Sequence, residues 1–174
     1  AVSNVLAQVQ QLFTPTRPQT EGPYFKPSSP ERWSLLEDGT PGTRLVVSGR
    51  ALALDGTPLG ATLLDFWQTD DAGNYDNQGF TMRGHQYTDA EGNYRLETVV
   101  PGLYPGRTRH IHVKVQAPNG PVLTTQLYFP DEPRNATDGI NLVLSGIDWQ
   151  AGDELIITNE EHEAVNHPSL YLKQ

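Results

Sequence analysis

The spacing of apolar positions changes its period once along the chain. Near the start, Val5, Leu6, Val9 and Phe13 fall on one stripe of a 3.6-residue repeat. Ser3 stands in a capping position and Pro15 just beyond the end, so residues 3–13 predict one short helix. Residues 14–30 carry Pro15, Pro18, Pro23, Pro27 and Pro30. That density of proline predicts an extended, irregular arm that wraps something else. From Thr43 onward the period is two. Residues 44–54, 61–68, 86–89, 94–100, 110–117 and 122–129 read as strands, and 154–158 and 169–172 add two more. Between them lie the turn signals Asp55-Gly56-Thr57-Pro58, Asp71-Ala72-Gly73-Asn74, Ala90-Glu91-Gly92-Asn93 and Pro118-Asn119-Gly120-Pro121. Short strands with turn signals every 8–12 residues or so predict an all-β fold. The expectation is an antiparallel β-sandwich with long irregular loops and one short N-terminal helix.

Nothing splits the chain into parts. Its 174 residues contain no internal repeat or low-complexity tract, and read as a single domain over 1–174. Residues 1–30 form the helix and arm, and 43–174 form the sandwich. A chain of this size buries roughly 70% of its unfolded surface and needs no staple. There is no cysteine, which removes disulfides, thiolate metal sites and thiol nucleophiles. The net charge of −9 argues against nucleic acid and against an anionic membrane surface as partners. No apolar run approaches the roughly 18 residues of a membrane span. The chain starts at Ala1 without methionine, consistent with a trimmed signal or a cut fragment.

The sharpest chemical signal is His110-Ile111-His112. On a strand the two imidazoles share one face, about 7 Å apart along the chain, while Ile111, Val113 and Val115 share the other. The apolar face can enter the core, and the histidine pair can then reach one metal ion. Two solvent-facing histidines are the plainer alternative. Two tyrosines sharpen the choice. Tyr75 follows a Gly-Asn turn, and Tyr104 stands six residues before His110. A phenolate oxygen with imidazole suits a hard trivalent cation, and a bound cation favours the phenolate. The stretches Val47-Ser48-Gly49-Arg50, Asp55 to Ala61, Thr88 to Tyr94 and Pro101-Gly102-Leu103-Tyr104 also fit a transthyretin-like binding module, in which such tyrosines only pack. A hydrolytic zinc site made of the two histidines and a carboxylate is a third reading.

Several motifs together carry a resemblance. They are Glu21-Gly22-Pro23-Tyr24, Asp65-Phe66-Trp67-Gln68 followed by Gly73-Asn74-Tyr75, Gly102-Leu103-Tyr104-Pro105, Arg107-Thr108-Arg109-His110-Ile111-His112, and Gln126. In this order the chain resembles the intradiol ring-cleavage dioxygenases over about residues 20–130. The resemblance implies that Tyr75, Tyr104, His110 and His112 hold Fe(3+), with Tyr104 the ligand that leaves when a catechol binds and Tyr75 the one that stays. It implies a small aromatic diol and O2 as partners, and a cis,cis-muconate-type diacid as product. It makes Arg107 and Gln126 the pair that stabilises a charge-rich substrate, and Tyr24 a substrate-side residue.

The departures carry expectations of their own. Where the family pattern has Arg-Pro-Ala-His this chain reads Arg107-Thr108-Arg109-His110, so Arg109 competes with Arg107 for the catalytic role. On an unbroken strand Arg107 points away from the histidine face; only a bend at Pro105-Gly106 brings it round. The stretch between Tyr104 and His110 is short, which predicts an open pocket that tolerates substituted catechols. The large helical region typical of catechol 1,2-dioxygenase dimers has only residues 3–13 in its place, so that dimer interface is not implied and the oligomeric state stays open. A compact build suits a secreted member acting on plant-derived catechols.

Overall fold

The structure, a computed structural model, describes residues 13–129 and the backbone of residues 170–172. The expected helix and the expected strand over 154–158 lie outside the described residues. Among the described residues seven strands follow in chain order: β1 (Arg44–Ala53), β2 (Leu63–Trp67), β3 (Arg83–Tyr87), β4 (Asn93–Val99), β5 (His110–Gln116), β6 (Leu123–Tyr128) and β7 (Leu170–Leu172). They form two sheets, one ordered β4-β1-β7 and the other β3-β2-β5-β6. The inner faces meet in a core of Ala51, Ala53, Leu64, Phe66, Tyr94, Leu96, Ile111, Val113 and Val115, as the period of two requires.

The turn chemistry acts where the sequence places it. Gly56 N–H closes onto Ala53 O at 2.9 Å, Gly92 N–H onto Asp89 O at 3.0 Å and Gly120 N–H onto Ala117 O at 2.9 Å. Two features depart from the expectation. β3 begins at Arg83, earlier than its side-chain pattern indicates, because its neighbours define it. A Cβ at Gly84 would sit 2.7 Å from Arg32 Cγ and 2.9 Å from Leu35 Cδ2, so the segment after the arm packs directly on its backbone. The second departure is that β7 pairs with β1 in parallel, Ala51 opposite Leu170, within an otherwise antiparallel set. A strand that returns after a long connection is not bound to the hairpin direction.

Residues 30–35 bind both edge strands. Arg32 N–H reaches His85 O at 2.8 Å on β3, and Leu35 N–H reaches Glu97 O at 2.8 Å on β4. The arm before them turns round the other edge and crosses the outer face of the four-stranded sheet. Gln19 N–H donates to Thr124 O at 2.9 Å, and Thr125 Oγ1 donates to Arg17 O at 2.9 Å. Lys114 pairs with Glu21, and Ser29 Oγ donates to Asp65 Oδ1 at 2.7 Å. This arm makes the outer face of β5 an interior.

Candidate metal centre

The register of the four-stranded sheet assembles the first half of the site. Trp67 of β2, His112 of β5 and Gln126 of β6 stand opposite one another, and His110 stands opposite Tyr128. All lie on the face away from the sandwich core, under the arm. His110 and His112 are 5% and 3% exposed, so the solvent-facing alternative does not describe them.

Their orientation is specific. His110 Nδ1 lies 2.7 Å from Thr108 O, and as the donor there it leaves the lone pair on Nε2. The two Nε2 atoms stand 3.0 Å apart. Two nitrogens each about 2.1 Å from one ion, at roughly a right angle, are about 3.0 Å apart as well. The His112 ring is stacked on Trp67, with centroids 4.6 Å apart and planes 5° apart, and its buried Nδ1 has no hydrogen-bond partner. Burial first, then His110, Arg107 and Arg83, push the His112 imidazolium pKa down to about 3. The ring is neutral at neutral pH, the form a metal needs.

The second half comes from two loops. Tyr75 lies in the loop between β2 and β3, just after a turn in which Asp70 Oδ1 accepts from the N–H groups of Ala72 (3.0 Å) and Asn74 (2.8 Å). Tyr104 sits in the loop before β5. The loops are locked together at two glycines. Gly102 N–H donates to Asp70 O at 2.7 Å, and a Cβ on Gly102 would stand 2.1 Å from Gly73 N. The Tyr75 and Tyr104 rings are thereby held with centroids 5.9 Å apart, and Tyr75 is 6.3 Å from the His112 ring. The arm then adds Tyr24. Its ring stacks on Tyr75 at 4.3 Å and its hydroxyl lies 2.8 Å from the Tyr104 hydroxyl. That hydrogen bond raises the Tyr24 phenol pKa. Burial pushes the Tyr75 phenol up to about 12, against the pull of Arg107 and Arg83. A phenol this reluctant to ionise alone needs a cation beside it to become a ligand.

The two arginines separate cleanly. Tyr104 O accepts from Arg107 N–H at 3.0 Å across Pro105-Gly106, with Gly106 at φ +80°. This is the bend that a place for Arg107 on the histidine face calls for. Arg107 Nη2 then reaches Gln126 Oε1 at 3.0 Å, while Arg109 Nη1 goes to Pro101 O at 2.5 Å. Gln126 is held from three sides: Tyr128 Oη donates to its Oε1 at 2.7 Å, and its Nε2 donates to Thr20 O at 2.6 Å. The residues Tyr24, Tyr75, Tyr104, Arg107, His110, His112 and Gln126 are therefore brought to one place.

Sequence reasoning passed over the roles of Trp67, Arg83, Thr108 and Tyr128. The alternation of β6 does put Tyr128 on the Gln126 face. Trp67 and Arg83 carry no local signal, because each acts across strands. Among the described residues no third His, Cys, Asp or Glu joins the two histidines, so a zinc site completed by a carboxylate lacks its third ligand there. Two imidazoles and two phenols are instead a donor set for a hard trivalent cation.

Comparison with known proteins agrees with this arrangement. The profile of a family described as “Dioxygenase” matches residues 20–173. The protocatechuate 3,4-dioxygenase beta chain of Burkholderia cepacia is 36% identical over 158 residues, covering 77% of this chain and 66% of that one. Catechol 1,2-dioxygenase 2 of Acinetobacter lwoffii is 34% identical, covering 65% of this chain and 50% of that one. Among solved structures, the dioxygenase domain of a dioxygenase carbohydrate-binding protein fusion from Streptomyces sp. SirexAA-E superposes with a TM-score of 0.71 at 63% identity, covering 72% of this chain and 82% of that one. The chain spans about half to two-thirds of the length of the curated relatives it matches. A fold with paired histidines and two loop tyrosines under an N-terminal arm, matched by that profile over most of its length, belongs to the intradiol ring-cleavage dioxygenase family.

Proposed function

We propose that this protein is a non-haem iron(III) dioxygenase that opens the ring of catechol-type diols between the two hydroxyl-bearing carbons, using O2 and giving cis,cis-muconate-type diacids. The observation that carries the reading is the 3.0 Å approach of two imidazole Nε2 atoms beneath two loop tyrosines. His110, His112, Tyr75 and Tyr104 would hold the iron. Iron(III) held there would supply the electron withdrawal that makes a ring carbon of a bound catecholate reactive toward O2.

The remaining work belongs to side chains. Tyr104 Oη is the base for one substrate hydroxyl, and Tyr24 Oη at 2.8 Å holds it once it has taken the proton. Tyr75 is kept in place by its loop and by the Tyr24 ring. Arg107, braced by Gln126, presents a fixed cation where charge builds on the substrate. Gln126, with its amide oxygen shared between Arg107 and Tyr128, cannot flip without breaking both bonds.

The test is a visible spectrum of the protein loaded with ferric iron, before and after adding catechol. Tyrosinate on iron(III) gives a charge-transfer band that changes as catechol binds, and Tyr75→Phe and Tyr104→Phe should each alter it. A colourless protein with iron bound overturns the reading. Only five residues separate Tyr104 from His110, so we read the pocket mouth as open. Catechols with alkyl, carboxyl and hydroxyl substituents should all turn over, and strict selectivity for one compact substrate would count against an open mouth.

A further inference from the structure

We propose that Arg83 is a positioning residue: its guanidinium couples the arm that carries Tyr24 to the loop that carries Tyr75, and so sets the tyrosine stack of the site. Arg83 lies on β3 opposite Trp67 and is 1% exposed. Its Nη1 donates to Tyr24 O at 2.6 Å. Its Nε and Nη2 both donate to Asp76 O, at 3.0 and 2.9 Å. One planar fork thus holds a carbonyl of the arm and the carbonyl next after Tyr75.

The hydrogen-bond partners of Arg83 are neutral carbonyls. None of the ion pairs among the described residues includes Arg83. The carboxylate of Asp76 is occupied elsewhere: Oδ1 accepts from Gln78 N–H at 2.9 Å and Gly79 N–H at 2.7 Å, and Oδ2 from Thr81 N–H at 3.0 Å. The carboxylates of Asp76 and Asp65 act on the Arg83 charge through space without taking a hydrogen bond from it. A buried guanidinium that is hydrogen-bonded only to carbonyls gains little over an apolar side chain of similar size, which packs without the desolvation cost. What the fork does that an apolar side chain cannot is fix two carbonyls from distant parts of the chain in one plane. Both carbonyls belong to the tyrosine half of the site. The Tyr24 ring is stacked on Tyr75 at 4.3 Å with planes 14° apart, and its hydroxyl meets Tyr104 at 2.8 Å. The guanidinium carbon itself lies 6.0 Å from the Tyr75 ring centre. The histidine half is held separately, through Trp67 and Thr108. Loss of Arg83 should therefore loosen the tyrosines and leave the histidines as they are.

The catalytic significance rests on the proposed iron site, whereas the positioning does not, and the experiment keeps the two apart. Arg83→Met removes the fork and the charge, and Arg83→Lys keeps the charge without the fork. In metal-free protein, ring-to-ring nuclear Overhauser contacts report each half. Both variants should lose the Tyr24–Tyr75 contact and keep the Trp67–His112 contact. In iron-loaded protein both should shift the charge-transfer band and lose up to about 10²-fold in kcat, the scale of an ångström-sized misplacement. If Arg83→Met fails to fold, Arg83→Lys carries the same readouts. Variants that keep the Tyr24–Tyr75 contact and lose only thermal stability overturn the proposal. If the parent protein gives no band with iron, the failure lies with the iron reading, and the metal-free contacts still decide the role of Arg83.

Discussion

At the scale of single residues, two arginines two positions apart have opposite assignments. Arg107 is turned onto the site by the Pro105-Gly106 bend and braced by Gln126, while Arg109 is tied to Pro101 O. Arg107→Ala should lose about 10²–10³ in kcat, the usual cost of a missing charge-stabilising donor, and keep iron and colour. Arg109→Ala should lose much less. Single-turnover kinetics on the two variants, beside their visible spectra, check this, and the reverse ranking would show that Arg109 faces the substrate. Tyr128→Phe acts on the brace of Arg107. It removes one of two donors to Gln126 Oε1 and should lower kcat with little change in KM.

Two contacts at the scale of elements are informative. The loops of Tyr75 and Tyr104 touch through glycines with no room between them. Gly102→Ala would place a carbon 2.1 Å from Gly73 N and must push the loops apart. It should cost about 1–3 kcal/mol, as overpacking does, and weaken iron binding. Gly106→Ala meets nothing within 4 Å and suffers only from its φ of +80°, so it should cost about 1 kcal/mol and leave iron binding alone. Equilibrium unfolding with iron titration compares the pair. The arm is latched to β2 where Ser29 meets Asp65. Burial raises the Asp65 carboxyl above its ordinary value of 3.8, opposed by the Ser29 hydroxyl and by His85, Lys114 and Arg83. A carboxyl raised in the fold binds its proton more tightly folded than unfolded, so its contribution is greatest below 3.8 and declines as pH rises through the folded value. Asp65→Asn, which keeps an acceptor for Ser29, should gain on the parent in melting temperature between about pH 4 and pH 7. A constant difference across that range would place the Asp65 carboxyl at its ordinary value.

For the molecule as a whole, the field is set by 12 basic against 21 acidic residues. A net charge of −9 repels anionic substrates at long range, over a Debye length of about 10 Å at 0.1 M salt. The value of kcat/KM for a carboxylated catechol should rise with ionic strength and that for unsubstituted catechol should stay flat. Equal salt responses would mean that the arginines at the site dominate the approach.

The features that residue order alone specifies are local. The period of two along residues 110–117 put both histidines on one face and Ile111, Val113 and Val115 on the other, because a pleated strand leaves no other choice. The turns at Asp55, Asp89 and Ala117 were legible from glycine and Asx chemistry confined to a few residues, and the bend before His110 from Pro105-Gly106. Side-chain order along the chain likewise named the two tyrosines. Which side chains meet is a property of the whole fold. It stacked Trp67 on His112 through the register of β2 against β5, laid Tyr24 on Tyr75 through the path of the arm, and spent the buried charge of Arg83 on two carbonyls. It also turned β7 parallel to β1. Each of these joins residues far apart in the chain, and strand register and arm path are settled by the packing of all the elements together, so no short stretch of sequence contains them.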